Sequence, residues 1–138
     1  MNIPIMLAFL ALFSGGLATF VWKVAGANQV YGPSYMVVET LVFCLAAVLI
    51  HIIQRHPFDL SPRMTGLASL GGILAAISVY VMLLAFRLGG QGCIIFPIAG
   101  LGVVVSVMLS TVIYSEPVTA TKLLGLGLGV SSIIVLSR

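Results

Sequence analysis

Charge is what this sequence has least of. Of its 138 residues only nine are Asp, Glu, Lys or Arg, 7 % of the chain. A soluble domain carries about 25 % charged residues, so this chain has too little ionic surface for a water-soluble globule. Cysteine is nearly as scarce. Cys44 and Cys93 lie in or beside apolar runs, with neither the spacing of a metal site nor the number for a disulfide framework. A basic patch is missing too. The net charge of +3 comes from cations scattered singly along the chain, which excludes nucleic acid as a partner. No nucleophile–base pair, paired carboxylates or phosphate-binding lysine motif is present. The run Gly89-Gly90-Gln91-Gly92 reads as a turn between helices. No enzyme, cofactor or metal is expected.

Apolar residues fill the space that charge leaves. They make up 61 % of the chain, and the mean hydropathy is +1.26. Residues 3–22, 64–86, 88–115 and 123–137 contain no charge at all. About 20 residues of helix cross the ~30 Å hydrocarbon core of a bilayer. A membrane barrel would show ~10-residue segments alternating in polarity, and these runs do not alternate. The expected fold is therefore an all-α integral membrane bundle. Five transmembrane helices are expected, over about 3–25, 33–54, 64–86, 93–114 and 118–136, as a single membrane domain over 1–138. The first run lacks a cationic leader and exceeds a signal sequence's ~7–15 apolar residues, so it is read as a span that stays.

Five spans place the termini on opposite sides. Arg55, Arg63 and Lys122 then share one side, and Lys23, Arg87 and Arg138 the other. The tie sets no orientation under the positive-inside rule. It is either the noise of a short chain or the mark of one that inserts both ways.

Polar and small residues within the spans supply the candidate sites. Lys23, Glu39 and Arg87 share one membrane leaflet, and Glu39 is the clearly intramembrane carboxylate. Charges at depth usually face a bundle interior or a water-filled cavity. These three line a transport pathway, or the cations snorkel to the interface while Glu39 pairs with one of them. Tyr80, mid-span, needs a partner or a cavity for its hydroxyl. Small residues recur at four-residue spacing in Gly15/Thr19, Ala68/Gly72/Ala76, Gly102/Ser106/Ser110 and Gly125/Gly129. Such faces allow close helix packing, and Gly125 and Gly129 are the candidate dimer face. Pro97 kinks the fourth helix or sits harmlessly near its start. His51 and His56 read as solvated interfacial residues.

The run from Gly100-Leu-Gly102-Val-Val-Val-Ser106, through Tyr114-Ser115-Glu116-Pro117 and Lys122-Leu-Leu-Gly125, to Ile133-Ile-Val-Leu-Ser-Arg138 resembles the end of an EamA-type repeat. This repeat belongs to the drug/metabolite transporter superfamily. Phe86-Arg87-Leu88 before a Gly/Gln turn, Trp22-Lys23, and five helices over the whole chain look alike too. The last two helices are also similar to those of small multidrug resistance proteins. Those have four helices and a proton-coupling glutamate in the first, where this chain has Phe13-Ser14-Gly15. The resemblance therefore does not imply proton-coupled cation antiport. Glu116 matches the family glutamate after the fourth helix, and is expected to cap the fifth helix, whose N-terminus favours an anion.

The resemblance implies a small-solute transporter, or transporter subunit, in the cell (inner) membrane. One five-helix unit encloses little volume, so the pathway is expected between two units. An unfused repeat of this kind would work by alternating access as an inverted, antiparallel homodimer. The rival readings are a non-transporting accessory subunit of a heteromeric complex and a flippase for lipid-linked sugars.

Overall fold

The computed structural model describes residues 2–58, 60–115 and 119–136. Among them the chain is all-α, with no strand. The helices are α1 (Ile3–Ala27), α2 (Gly32–Gln54), α3 (Pro62–Arg87), α4 (Gly92–Gly100), α5 (Gly102–Tyr114) and α6 (Ala120–Leu136). Four stretches are long and apolar enough to cross a membrane: Ile3–Ala27, Gly32–Gln54, Pro62–Arg87 and Gly92–Tyr114. A shorter apolar helix covers Leu123–Val135. The chain is an all-α, multi-pass membrane protein.

The helix ends have local causes. Prolines stand in the first turns of α1, α2 and α3, where a missing N–H breaks no helical bond. Ser61 caps α3 by accepting the Met64 N–H at 3.4 Å. Arg55 ends α2, and Ser115 follows α5, in left-handed backbone conformations. Within the spans the hydroxyls turn back on their own helices. Ser14, Thr19, Ser106, Thr111 and Ser131 donate to carbonyls three or four residues earlier. Hydrocarbon offers no other partner, so this is how a lone hydroxyl is satisfied there.

The stretch 93–114, read from sequence as one helix, consists of α4 and α5 joined at Leu101. Pro97 deletes the bond to the Cys93 carbonyl, yet the interruption falls four residues later. At Leu101 the backbone stays right-handed but tightens, its N–H reaching Ile98 O at 3.1 Å. Gly100 and Gly102 flank that point, and glycine weakens a helix interior by about 1 kcal/mol relative to alanine. Pro97 and the glycine pair both weaken the helix around this point.

The chain forms two compact units, Met1–Gly89 and Gly90–Arg138. In the first, α1 and α2 both pack on α3. Its buried residues are Ala25 and Gly26 of α1, Gly32 of α2, and Leu83 and Phe86 of α3. All five lie where α1 ends, α2 begins and α3 ends, so the three helices meet closely at one end. A Cβ on Gly26 would stand 2.6 Å from Phe86 Cβ and 2.9 Å from the Leu83 carbonyl oxygen. Further along, Gly15, Gly16, Gly66, Gly71 and Gly72 have no such neighbours within 4 Å. In the second unit α4 packs on α6 and α5, and a Cβ on Gly100 would stand 3.7 Å from Ile133 Cδ1.

Buried apolar side chains among the described residues number three: Ala25, Leu83 and Phe86. Side chains such as Phe43, Ile53 and Val112 are at least 75 % exposed. Water would penalise each by about 1.5–3 kcal/mol relative to burial; lipid removes that penalty.

Candidate functional site

Glu39 lies seven residues into α2, ~10 Å along the helix from its start. It is half-buried, and its partner comes from α1. The Trp22 indole Nε1–H donates to Glu39 Oε1 at 2.7 Å. This bond joins two helices that otherwise meet mainly through α3. Tyr35, one turn earlier on α2, also reaches Glu39 through its hydroxyl. Both groups are neutral.

The carboxylate opens onto a groove of about 440 Å³. Met36, Glu39, Thr40 and Phe43 line it from α2, and Gly72, Ala75, Ala76 and Val79 from α3. Each set follows the i, i+3, i+4, i+7 spacing of one helix face. Trp22 completes the wall. The small residues of α3 make the room, since larger side chains at 72, 75 and 76 would fill it. Part of the stripe Ala68/Gly72/Ala76 thus lines a groove rather than a tight crossing. A second groove, about 540 Å³ and almost wholly apolar, lies beside Pro33, Met36, Val37, Thr40, Leu41 and Tyr80. Met36 and Thr40 border both.

The structure does not bring Lys23 and Arg87 to Glu39. Lys23 is half-buried but lines none of these grooves, and among the described residues no ion pair joins it or Arg87 to Glu39. Arg87 is clasped by the first loop instead. Its Nε–H donates to Gln29 Oε1 at 3.2 Å, while Gln29 Nε2–H donates to the Arg87 carbonyl at 3.0 Å. Gln29 takes a left-handed conformation, φ 58°, to make this reciprocal pair. Tyr80 packs its ring 3.6 Å from the Gly32 Cβ position. It shares a cleft of about 30 Å³ with Val30, Leu83 and Arg87. Three of the four candidates therefore divide between two places, Glu39 in the groove and Tyr80 and Arg87 around the first loop, while Lys23 lines neither.

Trp22, Gln29 and Gly26 are the contributors that sequence reading passed over. For Trp22 the available signal was an indole N–H at the end of one span within reach of a carboxylate in the next. Gly102, Gly125 and Gly129 face no other part of the described chain within 4 Å, and Ser106 bonds to its own helix at Gly102 O. Glu116 lies outside the described residues. His51 packs edge-on against Phe58 at 5.3 Å.

Comparison with known protein families, with curated proteins and with solved structures returned no match.

Proposed function

We propose that this chain is a small-solute membrane transporter, or a transporter subunit, with its solute site at the Glu39 groove. The observation that carries this reading is a half-buried carboxylate at intramembrane depth, held by the neutral Trp22 N–H and open to a groove of about 440 Å³. A charge kept at such depth with no counter-ion among the described residues has a cost, and function is the common reason for it. The proposal includes single-repeat membership of the EamA-type transporters, placement in the cell (inner) membrane, and alternating access by an inverted homodimer. The open faces at Gly125 and Gly129 are consistent with a second copy. No catalytic role is assigned to any residue.

The test is flux in proteoliposomes containing only this chain, screened over cationic, anionic and neutral solutes. Transport of one class is expected, with flux per folded molecule falling at least tenfold in Glu39→Gln while thermal stability changes little. A static structural role predicts the reverse, lower stability with unchanged flux per folded molecule. Absence of flux for all classes would support the accessory-subunit reading.

A further inference from the structure

We infer that the face of α2 opposite Glu39, with the end of α3, binds an anionic phospholipid. Arg87 takes the phosphate, and two apolar grooves take the acyl chains. Pro33, Val37 and Leu41 lie about 120–160° around α2 from Glu39, at 100° per residue. The lipid is therefore a bound partner and not the solute, and the inference does not rest on transport.

The head site starts from a fixed arginine. The reciprocal bonds with Gln29, at 3.2 and 3.0 Å, hold Arg87 by its Nε–H and its carbonyl. Its two terminal nitrogens have no partner among the described residues. A guanidinium fork meets a phosphate through two parallel hydrogen bonds, and a fork already fixed loses less freedom on binding. Beside it lies the cleft of about 30 Å³, walled by Tyr31, Gly32, Tyr80 and Leu83. That is room for about one water-sized group, so it seats a phosphate oxygen and excludes a sugar. The Tyr80 hydroxyl also has no partner among the described residues, and its O–H is available to a glycerol ester carbonyl. The charge balance selects an anion. Glu39 is the one carboxylate among the described residues of this unit, and Trp22 and Tyr35 already hold it. Neither Lys23 nor Arg87 has an ion-pair partner there.

Two apolar grooves lead away from that cleft. The one of about 540 Å³ shares Pro33 and Tyr80 with it and continues past Val37 to Leu41. Another, of about 370 Å³, shares Tyr31 and Pro33 with it and continues to Val37 and Val38. Pro33 and Val37 border both grooves, an arrangement that suits the two chains of a diacyl lipid. From Pro33 to Leu41 is ~12 Å along α2, most of the ~15 Å of hydrocarbon in one leaflet. A free phosphate ion would use the cleft and leave both grooves empty. Arg63 supplies the contrast. It borders a groove of about 390 Å³ with Met64, Leu67 and Ala68, but no side chain among the described residues holds its guanidinium in place.

The test is native mass spectrometry of the whole chain in detergent, titrated with phosphatidylglycerol and with phosphatidylcholine of the same acyl chains. One phosphatidylglycerol per chain is expected, bound about fivefold or more tightly than phosphatidylcholine. A phosphatidylglycerol carrying a diazirine in one acyl chain should label α2 within 33–41. Inorganic phosphate should displace it no better than chloride of equal ionic strength. Arg87→Gln should remove most of the preference, Arg87→Lys should keep part of it, and Arg63→Gln should leave it unchanged. Val37→Trp obstructs both grooves and should weaken both lipids about fivefold or more, with the Gln29–Arg87 pair untouched. No retained lipid, equal affinities, an equal loss in Arg63→Gln, labelling spread evenly over the spans, or displacement by inorganic phosphate would each overturn the inference. If Arg87→Gln fails to fold, Val37→Trp and the labelling map decide, and unaltered binding in Val37→Trp is fatal.

Discussion

At the scale of the residue, the bond between Trp22 and Glu39 sets the chemistry of the first unit. It crosses from α1 to α2 at 2.7 Å, and it is the bridge between two helices that otherwise lean on α3. Hydrogen bonds between membrane helices average about 0.6 kcal/mol and reach about 1.7. A short bond to a carboxylate belongs near the upper end of that range. A double-mutant cycle of Trp22→Phe and Glu39→Gln, read by detergent unfolding in bilayer-like micelles, is therefore expected to give a coupling of about 1–1.5 kcal/mol. Additive effects would mean that the bond contributes nothing to the fold. Glu39 itself was legible in the sequence, because a carboxylate inside an apolar run stands out by composition alone. Its partner was not. Trp22 precedes it by 17 residues across a turn, and which way each helix faces is decided by packing on α3. Lys23 shows the same limit. It follows Trp22 directly, so it is turned ~100° around the helix, and when Trp22 faces Glu39, Lys23 points elsewhere.

At the scale of the element, glycine has two opposite uses here. Gly26 permits contact: its missing Cβ leaves room for Phe86 and the Leu83 carbonyl. A backbone oxygen cannot turn aside as a flexible side chain can, so Gly26→Ala must push α1 and α3 apart. Overpacking of this kind costs about 1–3 kcal/mol, to be measured as lost thermal stability. Gly16→Ala is the matched control, because open space surrounds it and helix propensity makes alanine neutral or favourable there. Equal effects at the two positions would refute the close crossing. Gly125 and Gly129 pose the other case. Neither meets another part of the described chain, which is what a face reserved for a second copy requires. Gly125→Leu and Gly129→Leu should then lower the dimer fraction in bilayers more than Gly66→Leu, whose surroundings are equally open. Equal effects at all three would remove the case for a dimer face on α6. Helix positions were readable from apolar run length, since each span needs ~20 residues whatever its neighbours. The division at Leu101 was not legible, because an apolar run long enough to cross the bilayer reads as one span whether or not a single turn within it tightens.

At the scale of the whole molecule, the proposed inverted dimer demands that identical chains insert in opposite directions. The tied count of Lys and Arg on the two sides permits this, and the positive-inside rule says how to break the tie. A chain lacking its own thiols (Cys44→Ala, Cys93→Ala) and carrying His56→Cys reports its orientation to a membrane-impermeant maleimide. The unmodified charge pattern is expected to label about halfway from outside sealed vesicles, because two populations coexist. Adding Asn28→Lys and Val30→Lys loads the first loop with cations and should fix that loop in the cytoplasm, so that labelling at position 56 approaches completion. Adding Phe58→Lys and Leu60→Lys instead should fix the opposite orientation and nearly abolish labelling. Each fixed form has lost its inverted partner, so each alone should transport little. Co-expression supplies one chain of each orientation and should restore flux. Recovery only on mixing is the signature of an antiparallel pair, which parallel dimers and monomers cannot produce. Full flux from either fixed form alone would end the inverted-dimer proposal, and a solute site complete within one chain would then take its place.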